Sequence, residues 1–269
     1  MITGINVVRN CIDNGYPFIE SILSAYPLCG EYLVNDGGST DGTSEALRRL
    51  SETYPRIKVF NIADEANLRW DSVSNQINHM IKRACGTTIF LGNADELIHE
   101  ADVPRIREEV LTTDKRVLRL IRKEVTSDWS ALSEDSYPPA RIAVNTNNVR
   151  QDWSNYGGDE FLYDDEWVDP HRKNIIPIIL YHLFNLFPGN KVNKLRNDAE
   201  HLAPGDPHRV KLYENYKSYK GSPFYPPKNI YPNLPALARG LPYMESYVVR
   251  ECLYDVEWVQ KITGLDFLA

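Results

Sequence analysis

Two hydrophobic periods alternate along the first hundred residues. Ile2 to Val8 is a short run rich in β-branched residues, the pattern of a buried strand. Asp13, Asn14 and Gly15 break it. Phe18, Ile19, Ile22 and Leu23 then recur at helical spacing, with Pro17 where a helix's first turn tolerates proline. Glu31 to Val34 predicts a second strand, followed by the turn-rich Asp36-Gly37-Gly38-Ser39-Thr40-Asp41-Gly42. Ala46, Leu47 and Leu50 make one face of a second helix, with Asp41 as its expected N-cap. Ile57 to Ile62 predicts a third strand. Val73, Ile77, Met80, Ile81 and Ala84 form a third helical stripe, with Gly86 as the expected C-terminal cap. Thr88 to Leu91 predicts a fourth strand, ending at Gly92-Asn93-Ala94-Asp95-Glu96.

This strand-helix alternation implies an α/β fold, with a mostly parallel sheet flanked by helices on both faces. Ligands of such sheets gather at the carboxyl ends of the strands, where both unusual loops lie. Further on the pattern is less regular. Val117 to Val125 and Arg141 to Val144 read as strands, while Trp129, Tyr137, Trp153 and Tyr156 stand among turn residues as in a binding loop. The stretch from Pro204 to Pro242 is rich in proline and tyrosine. A last helix is expected with Val249, Cys252, Leu253, Val256 and Val259 on one face. The expected division is a catalytic domain over residues 1–200 and an irregular extension over residues 201–269.

Composition narrows the function. Thirty Lys and Arg against 37 Asp and Glu give a net charge of −7, the wrong balance for a surface that tracks nucleic-acid phosphates. Cys11, Cys29, Cys85 and Cys252 are far apart and contain no C-x-x-C, which excludes a disulfide scaffold and argues against a structural zinc site built mainly from thiolates. Isolated thiols fit a reducing compartment, and Met1 leads straight into a strand without a basic signal region, so a cytoplasmic protein is expected. The apolar run from Ile175 to Phe187 is interrupted by Pro177, His182 and Asn185 and is too short to span a bilayer, although contact with a membrane surface stays open. No Walker loop, Gly-x-Ser-x-Gly or His-Glu-x-x-His occurs.

The two acidic loops carry the chemistry. In Asp36 to Thr43, three glycines let the backbone approach a ligand, and Asp36 at a strand end can accept hydrogen bonds from a base or ribose. The same residues also make an ordinary strand-to-helix turn. A carboxylate after the fourth strand can hold a hard divalent cation against a diphosphate. Taken together, these segments resemble the family 2 glycosyltransferases of GT-A fold. The residues that carry the resemblance are Ile2–Val8 followed by Asn10, Val34-Asn35-Asp36-Gly37-Gly38-Ser39-Thr40-Asp41-Gly42-Thr43, the helix with Asn75-Gln76-Ile77-Asn78, and Ile89-Phe90-Leu91-Gly92-Asn93-Ala94-Asp95-Glu96.

The resemblance implies a Rossmann-like GT-A domain and a nucleotide-diphosphate sugar as donor, with Asn10 and Asp36 on the nucleoside side. Asp95 would be the main protein ligand of Mn²⁺ or Mg²⁺. Asn93 stands where the family usually has the first aspartate of its D-x-D triplet. Its amide oxygen still accepts a ribose hydrogen bond, but one negative charge is gone. Arg69 is placed to pair with donor phosphates or to be solvated on its loop. His182 would be a late-arriving metal ligand or a satisfied core histidine. Lys191 and Lys194 would neutralise the diphosphate or lie in solvent.

The general base for the acceptor hydroxyl is sought in Asp159 to Glu166, with Asp159 and Glu160 as candidates because two glycines precede them. The expected function is a metal-dependent transfer of sugar to an acceptor hydroxyl, with inversion. The acceptor class is open between a glycan, a lipid-linked molecule and a small molecule. The alternative is a non-catalytic sugar- or nucleotide-binding protein in which Asn93 marks a lost metal site.

Overall fold

The computed structural model describes residues 1–62, 70–126, 128–134, 136–152, 159–183, 192–193, 195–196, 199–200, 205–216, 229–243 and 254–267. The elements in chain order are β1 (Ile2–Val8), α1 (Phe18–Ala25), β2 (Glu31–Asp36), α2 (Thr43–Thr53), β3 (Ile57–Phe60), α3 (Trp70–Ile81), β4 (Thr88–Leu91) and β5 (Glu96–Ile98). Then come α4 (Val103–Thr112), β6 (Val117–Glu124), β7 (Ala140–Val144), β8 (Val149–Asp152), β9 (Glu160–Tyr163), β10 (Glu166–Trp167), β11 (Ile175–His182), α5 (Pro207–Tyr216) and α6 (Val256–Thr263).

An eight-stranded sheet runs β3-β2-β1-β4-β7-β6-β11-β5, and β10-β9-β8 make a second, three-stranded sheet. The first four strands of the large sheet are mutually parallel, as the alternation of periods implies. Beyond them β7 is antiparallel to β4 and β6, β11 is parallel to β6, and β5 is antiparallel to β11. The carboxyl ends of β1, β2, β4, β6 and β11 therefore share one edge.

Apolar side chains cover both faces. Phe18, Ile22, Leu23, Leu47, Leu50, Leu97 and Leu120 belong to one cluster, and Ile5, Leu33, Ile77, Met80, Ile89, Leu91 and Phe161 to the other. Strands buried on both faces read as continuous apolar runs, which is why β1, β2 and β4 stand out in the sequence. Asp41 caps α2 from one residue further out than expected. Its Oδ1 accepts from the Thr43 amide at 3.0 Å, while Gly42 occupies the N-cap position at φ 95°. Gly86 is not a helix cap, since α3 ends at Ile81. It lies against β1, where a Cβ would come within 2.8 Å of the Met1 carbonyl oxygen and the Thr3 amide nitrogen.

The apolar run from Ile175 supplies β11, inside the sheet. Its register shifts between Ile176 and Ile179, and that irregularity accommodates Pro177, which has no amide proton to give the ladder. No helix among the described residues is long and apolar enough to cross a membrane. The proline- and tyrosine-rich end of the chain shares the core of the first half, through Leu234, Leu237, Leu241, Val259 and Phe267. Phe267 stacks on Tyr26 at 5.8 Å and meets Tyr54 edge-on at 6.1 Å, while the Tyr54 hydroxyl donates to the Tyr254 carbonyl at 2.8 Å. Of the expected last helix, residues 249–253 lie outside the described residues. The helix runs from Val256, capped by Asp255, whose Oδ1 accepts from the Trp258 amide at 3.1 Å.

Phe267→Ala is expected to lower the unfolding free energy by about 3–5 kcal/mol, a loss read from urea denaturation curves. A second prediction concerns Glu31, whose carboxylate accepts from Thr3 Oγ1 (3.0 Å), the Cys85 amide (3.0 Å) and Lys58 Nζ (2.7 Å). Burial disfavours its charged form, but these donors outweigh burial and hold the carboxyl below its ordinary 4.5. A depressed value stabilises the fold at neutral pH, and that contribution is lost as pH falls through the folded value. The melting-temperature gap between wild type and Glu31→Gln is therefore expected at pH 7 and should narrow as pH falls below the ordinary carboxyl value and close once the folded value is passed.

Candidate active site

Two loops and the end of β11 meet at the carboxyl edge of the large sheet. The first loop folds around Asp36. Its Oδ1 accepts from the amides of Gly38 (3.1 Å) and Ser39 (2.9 Å) and from the Ser39 hydroxyl (2.7 Å), and its Oδ2 accepts from the Ser44 hydroxyl. The carboxylate expected to face a nucleoside is thus engaged mainly in shaping its own loop, and the residue is 1% exposed. Asn10, at φ 46°, clamps the same loop. Its amide donates to Ser39 Oγ at 2.9 Å, and its Oδ1 accepts from the Thr40 amide at 2.8 Å.

Thr43 Oγ1 accepts from the Cys11 amide at 3.0 Å, and the Asp13 amide donates to Asp41 Oδ2 at 2.8 Å. The segments after β1 and β2 are therefore one hydrogen-bonded unit. Asn35 fastens it to α3 and to the end of β3, through Gln76 Oε1 (2.6 Å) and the Ile62 amide (2.9 Å).

The second loop leaves β4 at Gly92, where the backbone crosses so close to Asn6 that a Cβ would overlap Asn6 Oδ1. The Ser21 hydroxyl of α1 donates to the Asn93 carbonyl, and the Leu183 amide donates to the Asp95 carbonyl at 2.8 Å. Asp95 Oδ2 lies 3.3 Å from His182 Nε2, and His182 Nδ1 lies 2.7 Å from Glu124 Oε1. Burial alone would push the imidazole down. The charge of Asp95 and the contacts with Asp95 and Glu124 outweigh burial and raise it to about 9. Cys11 feels both acidic loops: burial, then Asp41, Asp36 and Asp95, push its thiol well up. A thiol held protonated in this way is a poor nucleophile.

Behind the second loop is a lattice of buried charge. Arg141, fully buried on β7, holds both oxygens of Glu96 at 2.8 Å and Asp159 Oδ2 at 2.8 Å. Arg119, fully buried on β6, holds Glu160 through both oxygens (3.0 and 2.6 Å) and Asp169 Oδ2 (2.7 Å). This corrects the expectation for Glu160. The Arg119 fork and the Trp167 indole (3.1 Å) occupy its oxygens, so no face is left for an acceptor hydroxyl. Asp159 is 3% exposed and sits at φ 35°, and its Oδ1 has no hydrogen-bond partner among the described residues.

The aromatic residues expected in a binding loop separate. Trp129 is a core residue, and Tyr137 is sandwiched between the guanidinium groups of Arg122 and Arg172, each 4.9 Å from its ring. Arg69, Trp153, Tyr156, Lys191 and Lys194 lie outside the described residues. Sequence reasoning missed Arg119, Arg141 and Glu124. A usable signal was present for the arginines: each sits inside a strand among apolar neighbours, and a charge so placed requires a carboxylate partner.

The donor set suits a hard or borderline divalent cation. Neighbouring ligands on an ion with bonds of about 2.1 Å stand about 3 Å apart, which is close to the separation of Asp95 Oδ2 and His182 Nε2. Among the described residues there is no group of three or more His, Cys, Asp or Glu that could cage a metal. The rest of a coordination shell would fall to water and to anionic substrate oxygens, the usual arrangement for Mg²⁺ at phosphate sites.

Residues 6–169, more than half of the chain, match the sequence model described as "Glycosyl transferase family 2". The chain belongs to glycosyl transferase family 2. No curated protein matches the sequence significantly. Among solved structures, residues 1–349 of TarS from S. aureus align at 12% identity over 81% of this chain and 72% of that one, with a TM-score of 0.45. The same TarS fragment in complex with UDP-GlcNAc aligns at 13% identity over 80% and 71%, with a TM-score of 0.46. The mannosyltransferase PcManGT from Pyrobaculum calidifontis, in complex with GDP-Man and Mn²⁺, aligns at 16% identity over 81% and 69%, with a TM-score of 0.41. The architecture of this family member rests on its own topology, described above.

A general base contributes about 10²–10⁴ to a rate. Glu160→Gln is expected to lower the melting temperature while kcat per folded molecule falls by far less than about 10². Thermal melts and turnover measured on the same preparation separate the two effects.

Proposed function

We propose that this glycosyltransferase takes its sugar from a nucleotide-diphosphate donor and passes it to an acceptor hydroxyl with inversion, aided by Mn²⁺ or Mg²⁺ held by Asp95 and His182. The observation that carries the reading is the convergence at one sheet edge. The loop folded on Asp36 and Asn10 clamps the β1–α1 segment, and the loop carrying Asp95 is tied to α1 through Ser21 and to the end of β11 through Leu183. In this reading the backbone of residues 36–42, held in shape by Asp36 and Asn10, forms the nucleoside side of the cleft. Asn93 presents an amide to the donor ribose, and Arg69 pairs with the donor phosphates.

The cation, when bound, supplies positive charge where the diphosphate leaving group gathers negative charge. Asp159 is the proposed base. Its Oδ2 is anchored by Arg141, and its Oδ1 is the oxygen that takes the hydroxyl proton. As that proton leaves, the acceptor oxygen bonds to the anomeric carbon on the face opposite the breaking bond to the diphosphate.

The test is thermal shift with UDP-GlcNAc and GDP-Man, with and without Mn²⁺, followed by turnover. A ligand that binds the native state raises the melting temperature, by about 2.7 kcal/mol of added stability at a hundredfold excess over Kd. A shift that needs Mn²⁺ and disappears in Asp95→Ala supports the reading, as does a fall of about 10²–10⁴ in kcat for Asp159→Asn. An Asp95→Ala variant with full sugar transfer would overturn the metal-assisted mechanism.

A further inference from the structure

The residue that aims His182 is supplied by sheet register. Glu124 and His182 are the last residues of the parallel neighbours β6 and β11 and stand directly opposite each other. The Glu124 backbone is fixed on both sides. Its amide donates to Ser133 Oγ (3.0 Å), its carbonyl accepts from the Ser133 amide (2.8 Å), and the next amide, of Val125, donates to the His182 carbonyl (3.0 Å). From this clamped position Oε1 reaches His182 Nδ1 at 2.7 Å, which leaves Nε2 on the side of Asp95, 3.3 Å from its Oδ2.

The exposures differ in the same sense. The side chains of His182 and Asp95 are 9% and 10% exposed, while that of Glu124 is 42% exposed. Glu124 is thus the solvent-side brace of a buried pair, and its removal leaves little to collapse.

We propose that Glu124 is a positioning residue of the cation site. By accepting the proton on Nδ1, it fixes both the ring orientation and the tautomer of His182, so that the Nε2 lone pair faces the same point as Asp95 Oδ2. This rests on the reading that Asp95 and His182 hold a divalent cation. Outer carboxylates that orient a ligating imidazole typically contribute 10–100-fold to metal affinity. Gln at this position still offers an oxygen to Nδ1–H, whereas Ala offers none.

The experiment is titration of the whole chain with Mn²⁺ alone, with free Mn²⁺ followed by its electron paramagnetic resonance signal. The proteins compared are wild type, Glu124→Ala, Glu124→Gln, His182→Ala and the Glu124→Ala/His182→Ala double variant. The expected result is a loss of about 10–100-fold for Glu124→Ala, a loss within a few-fold for Glu124→Gln, and a double variant no weaker than His182→Ala. Non-additivity of this kind identifies action through the histidine, which a general effect on folding would not produce. Wild-type affinity in Glu124→Ala, or losses that add in the double variant, would overturn the inference and leave the proposed function standing. A wild-type chain that does not bind Mn²⁺ would overturn the cation reading and this inference with it.

Discussion

The site depends on one short connection. β4 lies at the centre of the large sheet and β5 at its far edge, four strand positions away, yet only residues 92–95 join them. Strands stand about 4.8 Å apart, so in a flat sheet the gap is about 19 Å. Five Cα steps, fully extended, reach about 17–18 Å. The link is not extended, because the Glu96 amide turns back to the Asn93 carbonyl at 3.3 Å. The sheet must therefore coil until the ends of β4 and β11 approach each other, and strand twist of fixed hand supplies that coil. The link then crosses the carboxyl edge over the start of β7, where Arg141 holds Glu96. Asp95 is thus delivered to His182 by the tightness of the connection and by a buried ion pair.

The same constraint explains what could be read from the sequence. β1, β2 and β4 are buried on both faces, and the helices between the first strands carry clean stripes, so Ile2–Val8 and Thr88–Leu91 coincide with the observed strands. β5 is three residues long and carries no period of its own. β8 and β9 carry Arg150, Gln151, Asp152 and Glu160, polar side chains that leave no apolar mark, and the burial of Glu160 comes with a partner on another strand, Arg119. β11 was hidden by Pro177, which a central strand normally excludes and which a register shift accommodates here.

For the site, residue type was informative where the chemistry is local and misleading where it is not. Asp36, Asn10 and Asp95 lie at one edge, as their positions at or after predicted strands suggest, and His182 reaches Asp95 there from the end of β11, a strand hidden in the sequence. The Asp36 loop is self-contained in sequence, so its hydrogen bonds could almost be written from its glycines and hydroxyls. Glu160 illustrates the opposite case. Two glycines before a carboxylate look like an approach to a substrate, but the deciding partner is Arg119, 41 residues away. Glu124 was invisible for the same reason, because only the parallel register of β6 and β11 puts it beside His182.

Charge accounting separates the two acidic groups at this edge. Around Tyr137, Arg119, Arg122, Arg141 and Arg172 face Glu96, Asp159, Glu160 and Asp169, so four positive groups meet four negative ones. The charges of this lattice balance among themselves, and removing a fully buried member such as Arg119 or Arg141 would leave a charge uncompensated in a medium of low dielectric. The Asp95, His182 and Glu124 group is of another kind, two carboxylates joined through one imidazole. With the imidazole protonated it sums to −1, and with the imidazole neutral to −2. On the proposed reading, a divalent cation beside a neutral His182 brings the sum to zero. The sequence assigns acidic residues to both groups without distinction. The difference lies in whether arginines from β6 and β7 hold them, and on the proposed reading the cation supplies the positive charge where the donor's diphosphate sits.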